Sequence, residues 1–238
     1  MDDFRNILFI DIETVACSPS YGDLSERLKV QWARKANYFR QRDEGLTDEE
    51  LFHERAGIYA EFGKVIVIAI GKFSVNEAGE RTLKTRSFSN HDEATLLQEF
   101  CSVLGKMDQS QIRFCAHNGK EFDYPYLSRR LLVQGIPLPD SLNLSGRKPW
   151  ENPHLDTLEM WKFGDYKHYT SLDLLATLFD IPTSKGDMDG SKVNEVYYRE
   201  KDLKKIAEYC TSDVVVVSQL FLRLKGQPLV EPHNMVIG

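Results

Sequence analysis

The chain has little cysteine: Cys17, Cys101, Cys115 and Cys210 are scattered through 238 residues. No two stand at metal-ligand spacing and there is no dense secreted framework, so they read as small buried thiols in a reducing compartment. Nowhere do 18 consecutive apolar residues occur, which excludes a membrane-spanning helix of ordinary length. The opening Met1-Asp-Asp-Phe-Arg5 is acidic, and the apolar run after it is too short for a signal peptide. A soluble, cytoplasmic protein with no membrane partner is expected. An overall basic surface is also missing, since 30 Lys and Arg face 36 Asp and Glu for a net charge of -6. Any nucleic-acid contact therefore has to come from a local basic region or through bound cations. There is no Walker loop, no G-x-G-x-x-G fingerprint and no internal repeat, and His117 and His154 lack the paired spacing of a zinc site. Lys185-Gly-Asp-Met-Asp-Gly190 fails as a calcium loop, because alignment on Gly190 puts Lys185 and Val196 where the first and last ligands belong.

What is present points to an α/β chain. With 42% hydrophobic residues the length supports one sizeable core. The stretch Ile7-Leu-Phe-Ile-Asp-Ile-Glu-Thr14 reads as a central strand, apolar on both faces over residues 7 to 10. Lys64 to Phe73 is a β-branched run, Arg81 to Phe88 its antiparallel partner, and Asn76 to Gly79 the turn between them. Gln111 to Ala116 reads as a short buried strand. Helical spacing marks Leu24 to Arg42, Asp92 to Leu104, Tyr124 to Val133 and Asp202 to Leu224, and Thr47 with Glu50 spells a capping box. One mixed sheet flanked by helices is expected.

Three constellations carry chemistry. Asp11 and Glu13, two apart on the first strand, point the same way at its carboxyl end, while Ile10 and Ile12 face the opposite layer. Open α/β sheets place ligands there, and a divalent cation is the usual means of keeping two crowded carboxylates ionised. The second is His117-Asn-Gly-Lys-Glu-Phe-Asp123, between a strand and a helix, where Asp123 could equally serve as the helix N-cap. The third is Tyr209-Cys-Thr-Ser-Asp213, whose first and last side chains share one helix face. Tyr169 and Tyr198 also have Asp four positions on, but Asp173 completes a capping pattern with Thr170 and Asp202 opens the last helix. Asp213 sits mid-helix beside Val214, where no cap is needed, and is the stronger functional candidate. Separately, Arg27 to Arg42 holds six bases and no acid, interleaved with Trp32, Tyr38 and Phe39. This is either a solvated helix face or an arm whose cations track phosphates and whose aromatics stack on bases.

Taken in order, Asp-x-Glu, Asn-x-x-x-Phe-Asp and Tyr-x-x-x-Asp resemble the motifs of the DEDDy 3'-to-5' exonucleases. The middle one is most similar to that of the proofreading domain of family B DNA polymerases. The segments Lys185-Gly-Asp-Met-Asp-Gly-Ser-Lys-Val193 and Tyr209-Cys-x-x-Asp-Val-Val are similar to a bacterial group of predicted stand-alone exonucleases related to that domain. The resemblance spans roughly residues 5 to 225 on motif order and spacing. A histidine subtype places His five residues before the last Asp; Glu208 stands there, which favours the tyrosine subtype.

The resemblance implies a ribonuclease H-like fold with a central mixed five-stranded sheet. The domain would span residues 1–226, with a helical insertion at about 24–61 and a C-terminal tail at 227–238. It implies a hydrolase that releases nucleoside 5'-monophosphates from the free 3' end of nucleic acid, with single-stranded DNA expected before RNA. Asp11 would bridge two Mg2+ or Mn2+ ions, Glu13 and Asp213 would complete the site of the attacking water, and Asp123 would support the second ion. Hard oxygen ligands suit those cations. Tyr209, with an ordinary pKa near ~10, would orient the water rather than deprotonate it. Asn118 and Phe122 would shape the pocket of the terminal nucleotide. A polymerase or repair partner would be served in trans. The alternatives are an RNA-directed exonuclease and a non-catalytic nucleic-acid-binding protein that keeps the fold.

Overall fold

A computed structural model describes residues 4–40, 45–165, 169–183 and 188–238. Arg42 and residues 185–187 of the segment ending at Val193 lie outside them. The first strand, β1 (Ile7–Ala16), runs two residues beyond Thr14. It alternates as its sequence requires: Ile7, Phe9 and Val15 face one layer, while Leu8, Ile10 and Ile12 face the other. Helices α1 (Glu26–Arg40) and α2 (Asp48–Arg55) follow, the latter opened by the Thr47–Glu50 capping box. Next come β2 (Gly63–Val75), β3 (Arg81–Ser89) and α3 (Glu93–Leu104), whose N-cap is Asp92. Strand β4 (Arg113–Ala116) leads into α4 (Asp123–Val133).

Strand β5 (Leu155–Asp156) and helices α5 (Thr157–Lys162), α6 (Leu172–Leu178) and α7 (Val193–Glu195) lead to α8 (Leu203–Leu224). The apolar stripe of α8 overrides the strand preference of Val214 to Val217. Asp202 caps it, as expected, but the cap of α6 is Ser171 and not Thr170. The described strands form a six-stranded mixed sheet in the order β5-β4-β1-β2-β3-β6. Five strands were expected. The sixth, β6 (Met235–Val236), comes from the segment read as a tail and lies parallel to β3. That segment is also held by the Gln219 side chain, which bonds the Val230 carbonyl at 2.8 Å and its amide at 3.0 Å.

One apolar layer lies between the sheet and α8, and another between the sheet and α3 with α4. A smaller core under α1 and α2 is centred on Trp32, which is 0% exposed, with Phe52 and Phe62 edge-on to it. Trp32 is therefore core and unable to stack on a base. Within the basic run, Lys29 pairs with Glu26 at 2.9 Å and Arg40 pairs with Asp48, so part of its charge is structural. The helical layer is pinned by a buried ion pair: Arg130 of α4 meets Glu93 of α3 at 2.5 Å, and Glu93 also accepts the Val65 amide at 2.8 Å. No helix among the described residues is long and apolar enough to cross a membrane.

Candidate active site

The central strand is covered unequally by its neighbours. Strand β2 pairs with it from Leu8 to Ala16, whereas β4 stops at Phe9. Beyond Phe9 the β4 side of β1 has no strand partner among the described residues, and Asp11 and Glu13 stand on this stretch. The sequence reading put both acids at the end of β1. They lie in its middle, past the carboxyl end of β4, because β1 continues to Ala16 against β2. Asp123, the first residue of α4, reaches the same stretch: the Ile12 backbone amide hydrogen-bonds its carboxylate. Asp123 Oδ1 is buried with no hydrogen-bond partner among the described residues. Asp123 is thus not the helix cap that its position allowed.

Helix α8 closes the site from the other layer. Its residues Ile206, Cys210, Val214, Val217 and Phe221 pack on the sheet. The adjoining stripe at Tyr209, Asp213 and Val216 lines an open cleft, as four-residue spacing dictates. The helix can come this close because of Gly71 on β2, where a Cβ would stand 2.7 Å from Val214 Cγ1. At that separation the Cys210 thiol donates to Asp11 Oδ2 at 3.1 Å and to the Asp11 carbonyl at 3.3 Å. The ligating atoms of Asp11, Glu13 and Cys210 all lie within 4.8 Å of one another. Asp123 and Asp213 stand outside this triad but near enough for their charges to act on both acids.

Electrostatics marks the pit as unfavourable for bare charge. Burial first, then the charges of Glu13, Asp213 and Asp123, push the Asp11 carboxyl well above its ordinary range. Glu13 is raised in the same way by burial, Asp213 and Asp123. Burial lifts Asp123 to about 7, against the Ile12 amide. Burial lifts Asp213 to about 6, against a hydrogen bond from Tyr209. The Tyr209 hydroxyl is itself driven far above its usual value by burial and the neighbouring acids, so it stays protonated and can only donate or orient.

The cleft has a volume of about 660 Å³. Its wall adds His117, Tyr169 and Asp173 to Asp11, Tyr209 and Asp213. Asn118 and Phe122 lie off this wall: Phe122 packs on Tyr126 with centroids 5.3 Å apart, and the Asn118 amide is held by Asp156 at 3.0 Å. Asn118 adopts a left-handed φ of 64°, which Asn tolerates well. Asp156 was not singled out by sequence reasoning. It caps α5 through the Leu158 amide at 2.9 Å and fixes the loop before Asp123 through the Lys120 amide at 3.1 Å. Cys210 and Tyr169 were likewise missed as neighbours of the acids.

The profile of one protein family matches residues 58–227, and its description is a predicted 3'-5' exonuclease related to the exonuclease domain of PolB. The chain belongs to this family. The matched stretch contains Asp123, Tyr209 and Asp213, while Asp11 and Glu13 precede it. DNA polymerase 1 of Pyrococcus abyssi is 25% identical over 219 residues, covering 80% of this chain and 27% of the polymerase. Among solved structures, the family B DNA polymerase of the archaeon Pyrobaculum calidifontis matches with a TM-score of 0.53 and 16% identity. That match covers 91% of this chain and 24% of the polymerase. The chain thus spans about a quarter of the length of these relatives, and the structural match shows the ribonuclease H-like fold. Asp11 and Glu13 stand where the described strands leave this fold's central strand open beside β4.

Proposed function

We propose that the chain is a metal-dependent 3'-5' exonuclease that removes nucleoside 5'-monophosphates from single-stranded DNA. The reading is supported by the closeness of Asp11, Glu13, Asp123 and Asp213, whose charges act on Asp11, with Asp11 and Asp213 lining the cleft and Asp123 Oδ1 buried without a hydrogen-bond partner among the described residues. A buried carboxylate oxygen with no donor is costly unless a cation or proton meets it. The donor set is carboxylate oxygen, which suits Mg2+ or Mn2+. Asp11, Glu13, Asp123 and Asp213 would hold such ions.

Two bound cations would supply an activated water and shielding for the charge on the phosphorus oxygens and the departing 3' oxygen. The rest falls to the chain's own groups. The Tyr209 hydroxyl, kept protonated beside Asp213, orients the attacking water. His117 donates from Nε2 to the Thr170 carbonyl at 2.8 Å, and its Nδ1 meets Thr157 Oγ1 at 2.9 Å, which fixes the loop wall facing the substrate. Burial lowers its pKa, so it remains neutral and adds no cation to the site. Attack on phosphorus breaks the bond to the 3' oxygen of the penultimate nucleotide and leaves the phosphate on the released one.

The test is digestion of 5'-labelled DNA and RNA oligomers of matched sequence, single-stranded and duplex, with Mg2+, Mn2+ or EDTA. Stepwise shortening from the 3' end with metal, none in EDTA, and faster loss of single-stranded DNA are expected. Asp11→Ala is expected to abolish the ladder while the protein stays folded. Undiminished turnover in purified Asp11→Ala protein refutes the reading, and faster loss of RNA overturns the sugar preference.

A further inference from the structure

A second concavity lies away from the acids, between α1 and residues 59–62, with a volume of about 740 Å³. Its lining includes Arg34, Lys35, Tyr38, Phe39, Tyr59 and Glu61. Phe39 and Tyr59 pack with their rings tilted and centroids 5.7 Å apart, and the Lys35 ammonium sits 3.7 Å from the Tyr59 centroid. Tyr38 is 77% exposed, so its ring is not part of the core. Arg34 is exposed too, and no partner for it is found among the described residues. Within α1 no acid follows Glu26, in a chain whose overall charge is negative.

We propose that this groove holds single-stranded nucleic acid upstream of the scissile 3' end. An exposed aromatic ring, Tyr38, beside an exposed cation, Arg34, is the combination that binds a strand without reading its sequence. Charge complementarity favours a polyanion over a neutral peptide, and Glu61 is the single acid among the described residues of the lining. The groove is also fixed to the catalytic layer. The Tyr126 hydroxyl of α4 donates to the Gly57 carbonyl at 2.8 Å, and Arg130 of α4 donates to the Ala60 carbonyl at 2.8 Å. Helix α4 begins at Asp123, so groove and pit share one rigid support. Helix α1 lies outside the stretch matched by the exonuclease family. The facing wall, with Tyr59, Glu61 and Phe62, lies inside that stretch. The groove rests on the exonuclease reading for what the strand is, but not for whether a strand binds.

The experiment is fluorescence anisotropy in EDTA, where hydrolysis is blocked, with labelled single strands of about 4 and about 16 nucleotides, the range that protein tracks engage. Arg34→Glu combined with Tyr38→Ala is expected to weaken binding of the long strand about 10-fold and leave the short one unchanged. Arg34→Ala is expected to lower the salt slope by about 0.7, and Arg34→Lys to restore it. Turnover of the short strand at saturation should match wild type. Equal affinity and slope for the long strand in the double variant, with its thermal unfolding unchanged, overturn the groove. Absence of hydrolysis by wild type with any metal would sink the exonuclease reading while leaving the binding result to stand on its own.

Discussion

Cys210 follows Tyr209 by one residue, yet its thiol reaches across to Asp11 on the strand, 199 positions away. A donor on a metal-binding carboxylate fixes which way its oxygens point, and losing such a partner typically weakens metal binding 10- to 100-fold. Cys210→Ala is accordingly expected to weaken Mn2+ binding about 10-fold, with Cys210→Ser close to wild type. Calorimetric titration measures this, and an unchanged affinity in the Ala variant would remove the role. Tyr209→Phe is expected to lower kcat about 100-fold with KM little altered, as single-turnover kinetics can show, because the variant loses a hydroxyl that orients water. Asp11, Glu13 and Asp213 could be singled out in the sequence by short spacings, two apart on a strand or four from a tyrosine, and Asp123 by its place between a strand and a helix and by motif resemblance. Cys210 was not, since a contact between α8 and β1 leaves no trace in local spacing. Asp156 was missed for a related reason: an aspartate before a helix looks like any cap until the loop it also holds is seen.

At the scale of elements, α8 and the open half of β1 make the site, and Gly71 sets the distance between them. Gly71→Ala drives a methyl into Val214 and is expected to cost about 1–3 kcal/mol, the usual penalty of overpacking. Activity should fall further than stability, because Asp213 and Cys210 move off with the helix. The double variant Gly71→Ala with Val214→Ala should recover much of both, measured by urea unfolding and 3'-end degradation. A single variant with full activity would show that the helix spacing does not matter. The long elements could be read from periodicity, α8 included, where helical spacing held over 22 residues against a local run of valines. The two-residue strands β5 and β6 could not, as two positions carry no alternation. The extent of β1 was underestimated because Val15 and Ala16 show as strand only once β2 pairs with them.

Across the whole molecule, folding forces four acids into a place that resists their charge. For Asp123 the folded pKa, about 7, lies above the ordinary 3.8, so the folded state binds the extra proton. Its contribution to stability is present below about pH 4 and is lost as pH rises through 7. Asp213 behaves alike, with the loss centred near 6. His154, lowered to about 4 by burial, works the other way but does so in every variant of the acids and cancels in the comparison. The decisive measurement is thermal unfolding of wild type and Asp123→Asn at pH 5 and pH 8, in EDTA and in Mn2+. Without metal at pH 8 the Asn variant should unfold at the higher temperature, and at pH 5 that advantage should shrink away. Mn2+ at pH 8 should raise the wild-type Tm by several degrees and reverse the order. Wild type being the more stable of the two in EDTA at pH 8, with no shift on adding Mn2+, would contradict the claim that these acids were gathered to grip cations.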